Sequence, residues 1–253
     1  MILTLVMQSR KVAISLEQKI TKKPRGGWII LPWGFFISHT EKMISLQQRL
    51  PDNNKYFFAC SGGVDSMSAL HWMKQGGRLP YAIIHVHHNT GDYADRALEF
   101  VERTYTEYCF DLFVKNVEGA PPPGESKEAW WRGERYKLFQ EVLDDTGKDY
   151  PIVLAHNLDD CVEQYIMRTC IRLSKNKLIS YKGPANTIRP FLTWKKSEII
   201  DYAKRNNIDW IEDPSNTNTS FLRNNIRHNL VPLVAKMNPG IHSQVRKMIL
   251  GIQ

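Results

Sequence analysis

The residues best suited to chemistry are a short run of serines and glycines with one aspartate. They are Ser61, Gly62, Gly63, Val64, Asp65 and Ser66. Adjacent glycines let backbone N–H groups approach a phosphate closely, and the start of a following helix adds partial positive charge. Serine hydroxyls can donate to phosphate oxygens, and an aspartate can hold Mg²⁺ against them. The run is not a Walker A loop, because no Gly-Lys-Ser/Thr follows it. The alternative is an ordinary tight turn in which Asp65 starts a helix.

A second acidic feature follows the apolar run Pro151 to His156. Asp159 and Asp160 stand where this predicted strand meets its helix. Two carboxylates beside a phosphate chain suit Mg²⁺, a cation that prefers oxygen ligands. An Asp pair at a helix start also serves as a cap and favours the helix dipole, which is the alternative for these two residues. With the glycine run on a neighbouring strand, the metal role is favoured.

Basic and histidine residues offer further candidates. Arg132 and Arg135 lie three apart on a predicted helix, where they can clamp a phosphate or a carboxylate, or pair with nearby glutamates. Arg223 and Arg227 lie four apart in a segment without acidic residues, which favours contact with phosphate. The histidines at positions 85, 87 and 88 have no Cys or carboxylate at zinc-ligand spacing, so a packed or polar lining is favoured over zinc.

The elements that must position these residues alternate between strand and helix. Apolar runs predict four strands, and helical spacing predicts a helix after each; the strands are 56–60, 81–87, 110–115 and 151–156. Further helices are predicted at 197–205 and 220–234. This order predicts an α/β fold with a doubly wound parallel sheet and a small helical C-terminal extension. A ligand is expected beyond the carboxyl ends of the strands, at the switch point of the sheet.

Composition narrows the class of protein. The chain has 253 residues, 42% hydrophobic and 24% charged, which excludes collagen-like, disordered and coiled-coil proteins. No apolar run is long enough to span a bilayer, and no signal-peptide pattern occurs, so the protein is expected in the cytoplasm. Four scattered cysteines fit a reduced compartment. From residue 171 onward there are 14 Lys and Arg against 5 Asp and Glu, which indicates either a polyanion-binding surface or a solvated basic face.

The chain divides into three predicted regions. Residues 1–42 mix basic and aromatic residues without a sustained period. They are an N-terminal extension of unknown role, for which a leader, an added hairpin or an extension upstream of a core that begins near Met43 all stay open. The main domain is expected over 43–235, and a basic helix or tail over 236–253. The sequence indicates no oligomeric state.

Several motifs together carry a resemblance to a known family. The SGGxDS run resembles the fingerprint of the PP-loop pyrophosphatases, an adenine nucleotide α-hydrolase-like fold. The order of the other blocks resembles the tRNA(Ile)-lysidine synthetases over about Lys55 to Leu233. These blocks are His85-Val86-His87-His88; Glu128-Ala129 with Arg132, Arg135 and Tyr136; His156-Asn157-Leu158-Asp159-Asp160 with Glu163; Arg189-Pro190; Glu212-Asp213-Pro214-Ser215-Asn216; and Arg223-Asn224-Asn225-Ile226-Arg227-His228.

The resemblance implies a reaction. ATP would adenylate the ring carbonyl oxygen of the wobble cytidine in an isoleucine tRNA with a CAU anticodon, and L-lysine would then displace AMP. The implied catalytic residues are Asp65, Asp159, Asp160 and Arg227, with Mg²⁺ on the three aspartates. The implied ATP loop is Ser61 to Ser66, and the implied RNA or substrate contacts are Arg132, Arg135, Arg189, Arg223, Asn224 and Arg227.

Two departures and three alternatives accompany this reading. Where many members carry an Arg-Gly-Ser-Gly-like turn, this chain has Ile171 to Asn176, and it is expected to be a short form without C-terminal tRNA-binding domains. The basic C-terminal third would then substitute for those domains, or the substrate would be a smaller nucleic acid. The alternatives are another PP-loop enzyme acting on RNA, such as a tRNA thiolase; a small-molecule amide ligase; and a non-catalytic RNA-binding relative. Scattered cysteines disfavour the first, the basic segment disfavours the second, and the intact glycine–aspartate run disfavours the third.

Overall fold

The computed structural model describes residues 28–30, 36–38, 51–108, 110–172 and 179–251. The chain divides into two units, residues 1–43 and 44–253. The described part of the first unit is a two-stranded antiparallel ribbon of β1 (Trp28–Ile30) and β2 (Phe36–Ser38), with Trp28 opposite Ser38. The rest of the predicted N-terminal extension lies outside the described residues, and all the candidate site residues belong to the second unit.

The second unit is built on a five-stranded sheet in which every neighbouring pair is parallel. Its strands are β3 (Phe57–Ala59), β4 (Ala82–His87), β5 (Asp111–Asn116), β6 (Ile152–Val153) and β7 (Thr187–Ile188). The spatial order is β5-β4-β3-β6-β7. The order reverses between β3 and β6, so the switch point lies between these two strands. This confirms the predicted α/β fold with a doubly wound parallel sheet.

Helices connect and flank the strands. They are α1 (Val64–Gln75), α2 (Asp92–Tyr108), α3 (Lys127–Thr146), α4 (Leu158–Ile166), α5 (Lys196–Arg205), α6 (Leu222–Asn225), α7 (Val231–Met237) and α8 (Ile241–Leu250). A π-helical segment, Met167–Arg172, continues α4, and another, Ile226–Leu230, joins α6 to α7. The helix predicted after each of the four strands and the helix predicted at 197–205 are therefore present. The helix predicted over 220–234 is divided by its π-helical turn.

Burial in the core explains why the sequences of the central strands are unbroken apolar runs. Strand β3 is covered on both faces, as parallel strands in doubly wound sheets are. Phe57 packs in one cluster with Ile84 of β4 and Phe139 of α3, and all three are at most 1% exposed. A second cluster joins Leu158 and Val162 of α4 to α8. The predicted C-terminal tail thus contains a helix that shares the core of the second unit.

Within the described residues, no helix has both the length and the apolarity needed to cross a membrane.

Candidate active site at the switch point

The glycine run forms a tight turn between β3 and α1. Gly62 has φ +80°, a left-handed conformation that favours glycine, and a Cβ there would lie 3.3 Å from Cγ1 of Ile211. The Ser66 hydroxyl closes the turn by donating to the Gly63 carbonyl at 3.0 Å. The cap residue of α1, Gly63, makes no side-chain capping bond. Because glycine has no side chain to cap the helix, the first N–H groups of α1 are available to an anion, and the predicted phosphate loop needs such groups.

The loop after β6 meets this turn across the switch point. Asn157 caps α4, and Asn157 and Asp160 bond each other's backbone N–H in a capping box. The Asn157 amide also donates to Oδ1 of Asp65 at 3.1 Å. The structure therefore brings Asp65 and the Asp159–Asp160 pair to the same edge of the sheet. The alternative role of the aspartate pair, capping the helix, applies to Asp160, whose Oδ2 accepts from the Asn157 backbone N–H at 2.9 Å.

A lysine that the sequence motifs do not include joins the two loops. Lys196, the first residue of α5, places its ammonium 2.7 Å from Oδ2 of Asp65. The backbone N–H of Lys196 donates to Oδ2 of Asp159 at 2.7 Å. His242 of α8 lies 3.2 Å from the other oxygen of Asp159. Asp65 thus accepts from the Lys196 ammonium and from the Asn157 amide. Asp159 accepts from the Lys196 backbone N–H, and its other oxygen lies beside the His242 ring.

The environment shifts the pKa values of the two carboxyls in opposite directions. Burial raises the pKa of Asp65, and the Lys196 ammonium offsets only part of that rise. Burial also raises the pKa of Asp159, but the hydrogen bonds from His242 and from the Lys196 backbone lower it by more, so the net pKa is below its ordinary value. Asp159 is therefore held more firmly as a carboxylate than Asp65, for which the Lys196 ammonium acts against the effect of burial.

The third aspartate of the predicted metal set is engaged differently. The guanidinium of Arg223 donates to Oδ1 of Asp160 at 2.8 Å and to Oε2 of Glu163 at 2.8 Å. Arg227 donates to both oxygens of Glu163, at 2.5 and 3.1 Å. We call Asp160, Glu163, Arg223 and Arg227 the helix clamp. The positive charges of the two arginines are therefore balanced by carboxylates of α4. Counting charges along the arginine-bearing segment alone does not reveal these partners.

Charge inside the helix clamp is strongly stabilised. Burial raises the pKa of Asp160, but the Arg223 guanidinium and the other groups around the carboxyl lower it by more, so its net pKa is below the ordinary value. Burial lowers the pKa of Arg223, and Asp160 and Glu163 raise it above its ordinary value. The side chain of Glu163 is only 3% exposed. In this arrangement both oxygens of Asp160 are bound by protein groups, so its role as a metal ligand stays a prediction.

Arg135 and Arg189 form a cationic group beside the helix clamp. Arg135 reaches Nε2 of His88 at 3.5 Å, and among the described residues no carboxylate lies within 4.0 Å of its guanidinium. Arg189, 4% exposed, donates to the Tyr136 hydroxyl and to the Ser180 carbonyl, each at 3.0 Å. Burial lowers the pKa values of His88 and His156 to about 4, so both rings are neutral at pH 7.

Four other candidate residues have contacts that define their positions. Arg132 is exposed and lies over the Tyr136 ring, with its guanidinium carbon 5.3 Å from the ring centroid. Asn224 donates to the carbonyls of Ser215 and Asn218, which ties α6 to the preceding loop. The histidines at 85 and 87 bond the Cys60 carbonyl and Asp95, so they have partners in the fold.

The donor set fits Mg²⁺. Mg²⁺ in nucleotide sites is commonly held by one or two carboxylates together with substrate phosphates and water. Asp65 and Asp159 supply two carboxylates, and the Lys196 ammonium shows that a cation is accommodated at the first. Among the described residues no group of three His, Cys, Asp or Glu forms a site that would hold a metal without a substrate.

A doubly wound sheet with an open helix N-terminus and facing carboxylates at its switch point defines an α/β nucleotide-binding domain. More particularly, the chain belongs to the PP-loop family, whose domain matches residues 37–234. This confirms the predicted family.

Two relatives and one solved structure extend the comparison. The chain is 33% identical over 191 residues to the tRNA(Ile)-lysidine synthase of Exiguobacterium sibiricum, covering 72% of this chain and 44% of that protein. It is 29% identical over 208 residues to the tRNA(Ile)-lysidine synthase of Thermotoga maritima, covering 79% and 50%. The chain thus spans about half the length of these relatives. The U34-tRNA thiolase NcsA from Methanococcus maripaludis shares the fold, with a TM-score of 0.63 at 17% identity over 83% of this chain and 79% of that one.

The sequence motifs missed Lys196 and His242. Lys196 had one usable signal: a cation at the first position of a helix opposes the helix dipole, so a lysine there calls for an anionic partner. His242 had none, because its approach to Asp159 depends on how α8 packs against α4.

Proposed function

We propose that the chain modifies the wobble cytidine of an isoleucine tRNA with a CAU anticodon to lysidine, using ATP and L-lysine in the cytoplasm. The observation that carries the proposal is the meeting of the SGGVDS turn with Asn157 and Asp159 at the switch point, in a chain that resembles tRNA(Ile)-lysidine synthases. The activity, the substrates and the RNA partner are all part of this proposal.

The first step is adenylation. The O2 atom of the cytidine attacks the α-phosphorus of ATP, the bond from that phosphorus to the bridging oxygen breaks, and pyrophosphate leaves. The N–H groups at the start of α1 lie where they can bind the departing phosphates. Asp65 and Asp159 would hold Mg²⁺, which neutralises the charge that accumulates on pyrophosphate.

The second step forms the carbon–nitrogen bond. An uncharged amine of L-lysine attacks C2 of the activated base, AMP leaves with the former O2 atom, and the amine loses one proton. The target base must leave its stack to be reached. Arg135, whose guanidinium has no carboxylate partner among the described residues, is suited to bind an anionic group of the RNA or of the amino acid.

The thiolase alternative is less well supported. Among the described residues Cys60 and Cys161 are buried, Cys170 is exposed, and none of them belongs to a group that could hold a metal ion. The likeness to the thiolase NcsA is a likeness of fold at 17% identity.

Lysine transfer tests the proposal. The protein is incubated with ATP, Mg²⁺, labelled L-lysine and unmodified isoleucine tRNA with a CAU anticodon, and label retained on RNA is counted. The proposal predicts incorporation that is lost when the wobble cytidine is replaced by uridine. Incorporation that survives this replacement, or none with a folded protein, contradicts it.

A further inference from the structure

Lys196 is a cation in a position that helix electrostatics disfavours. As the first residue of α5 it lies at the positive end of the helix dipole, where a positive side chain is destabilising. Its ammonium nevertheless points to Asp65 at 2.7 Å, and its side chain is 38% exposed. The contact to Asp65 is the compensation that the structure shows for this placement.

We call the pair of Lys196 and Asp65 the loop pair. Its contact can dissociate easily. It consists of a single ammonium–carboxylate contact, and the Asp65 side chain is 32% exposed. Single-contact pairs that are partly exposed have smaller net stability than buried networks, since water and salt compete for them. The lysine stem is flexible, whereas the backbone N–H of Lys196 stays fixed on Asp159.

The loop pair also lies where phosphate is expected. Asp65 is the second residue of α1, so an anion at the N-terminus of that helix lies within about one helical turn of the Lys196 ammonium. A metal ion arriving with ATP would take the Asp65 oxygen that the ammonium now contacts. Lys196 would then be released beside an anion with more charge than Asp65.

We propose that the Lys196 ammonium, which contacts Asp65 in this structure, moves to the β- and γ-phosphates when ATP binds. This inference rests on the nucleotide binding in the proposed function, and it deepens that function by assigning the cation that holds the leaving group. The rival role for Lys196 is a fixed strut between the two loops. A strut supports every ligand of the site equally, whereas a phosphate-binding cation distinguishes ATP from AMP.

Calorimetric titration of Mg²⁺-ATP and of AMP separates the two roles. The proteins compared are the wild type, Lys196→Met, Lys196→Arg and Lys204→Met, the last being an exposed lysine of the same helix. Loss of one charge-assisted contact predicts about 10- to 100-fold weaker ATP binding in Lys196→Met. AMP binding should stay within about twofold, Lys196→Arg should recover most of the ATP affinity, and Lys204→Met should match the wild type.

Other results overturn the inference. Unchanged ATP binding in Lys196→Met shows that the ammonium does not reach the phosphates. Equal losses for ATP and AMP show a strut, and a thermal unfolding curve for each variant identifies a general loss of structure. A wild type that binds no ATP removes this inference and the proposed function together. The predicted ATP–AMP difference without lysine transfer to tRNA removes only the proposed function.

Discussion

The loop pair and the helix clamp are two acid–base groups at the same edge of one sheet, and they are built differently. In the loop pair one ammonium makes one contact, and both side chains are about a third exposed. In the helix clamp two guanidinium groups make multiple contacts with two carboxylates, and Glu163 is 3% exposed. Planar guanidinium groups fix geometry in a way that a lysine ammonium does not.

This difference suggests that the loop pair binds a ligand and that the helix clamp supports the fold. Charges that are buried and mutually satisfied are costly to rearrange, so the helix clamp is suited to hold α4 against the segment of α6. Charges that are exposed and singly paired can change partners, so the loop pair is suited to a ligand. Removing a carboxylate should therefore abolish activity at the loop pair and reduce stability at the helix clamp.

The largest expected effect comes from the loop pair. Asp65→Asn keeps the shape of the side chain and removes its charge, so pyrophosphate release should fall by about 1,000-fold or more. The thermal midpoint should change little, since the amide keeps an oxygen for the Asn157 donor and only the single, partly exposed contact to Lys196 is lost. Asp52→Asn is the control, because Asp52 is an exposed acid with a single 3.7 Å contact to Lys55. Full activity in Asp65→Asn would remove the nucleotide site from this turn.

A substitution in the helix clamp should lower the stability of the protein. Glu163→Gln leaves Arg223 and Arg227 without their shared carboxylate, and breaking a buried pair typically costs about 3 kcal/mol of unfolding free energy. Urea denaturation of the isolated protein measures this loss. Glu134→Gln, which breaks a surface pair with Lys137, is the control and should leave the denaturation midpoint unchanged. Equal midpoints for both variants would show that the clamp does not support the fold.

Gly183, beside Arg189, gives a smaller effect, and Gly133 offers a matched substitution that is expected to act in the opposite direction. In Gly183→Ala the new methyl would overlap the guanidinium of Arg189 and the Thr187 hydroxyl, which should cost about 1–3 kcal/mol. Gly133→Ala is the same substitution within α3, where nothing lies within 4 Å of the new methyl, and it should stabilise by about 0.5–1 kcal/mol. Denaturation curves that move in the same direction would contradict the packing around Arg189.

The smallest expected effect is a dependence on pH. His156 takes up a proton near pH 6.5 in the unfolded chain, and in the folded chain burial lowers its pKa to about 4. The unfolded state therefore binds more protons between these values, and stability falls as the pH falls through this window. For a partly buried ring the loss is on the order of 1–2 kcal/mol. His156→Asn should show a smaller difference in denaturation between pH 7 and pH 5 than the wild type; an equal difference would contradict a buried neutral ring.

The sequence predicted the parts of the fold that depend on local pattern. The run around Phe57 and the glycine turn placed β3, its loop and α1 nearly as the structure has them, because apolar runs and paired glycines act within a few residues. Strand β7 was missed because Thr187–Ile188 is only two residues long and carries no period. Its place in the sheet is set by pairing with β6.

The site was predictable where its residues lie in one turn and not where they meet through packing. Asp65, Asp159 and Asp160 were identified from their positions after strands. The pairing of Arg223 with Glu163 joins residues 60 positions apart and depends on how α6 packs against α4. The contact between Lys196 and Asp65 spans 131 positions, so spacing along the chain gives no sign of it.

The most direct test of the central claim is to determine which bond of ATP is broken at the loop pair. The protein is incubated with Mg²⁺, isoleucine tRNA with a CAU anticodon, L-lysine and ATP labelled at the α-phosphate in one sample and at the γ-phosphate in another, and the products are separated. The account predicts AMP and pyrophosphate in equal amounts, dependent on the tRNA and absent in Asp65→Asn. ADP and phosphate, or AMP formation that Asp65→Asn leaves unchanged, would contradict it.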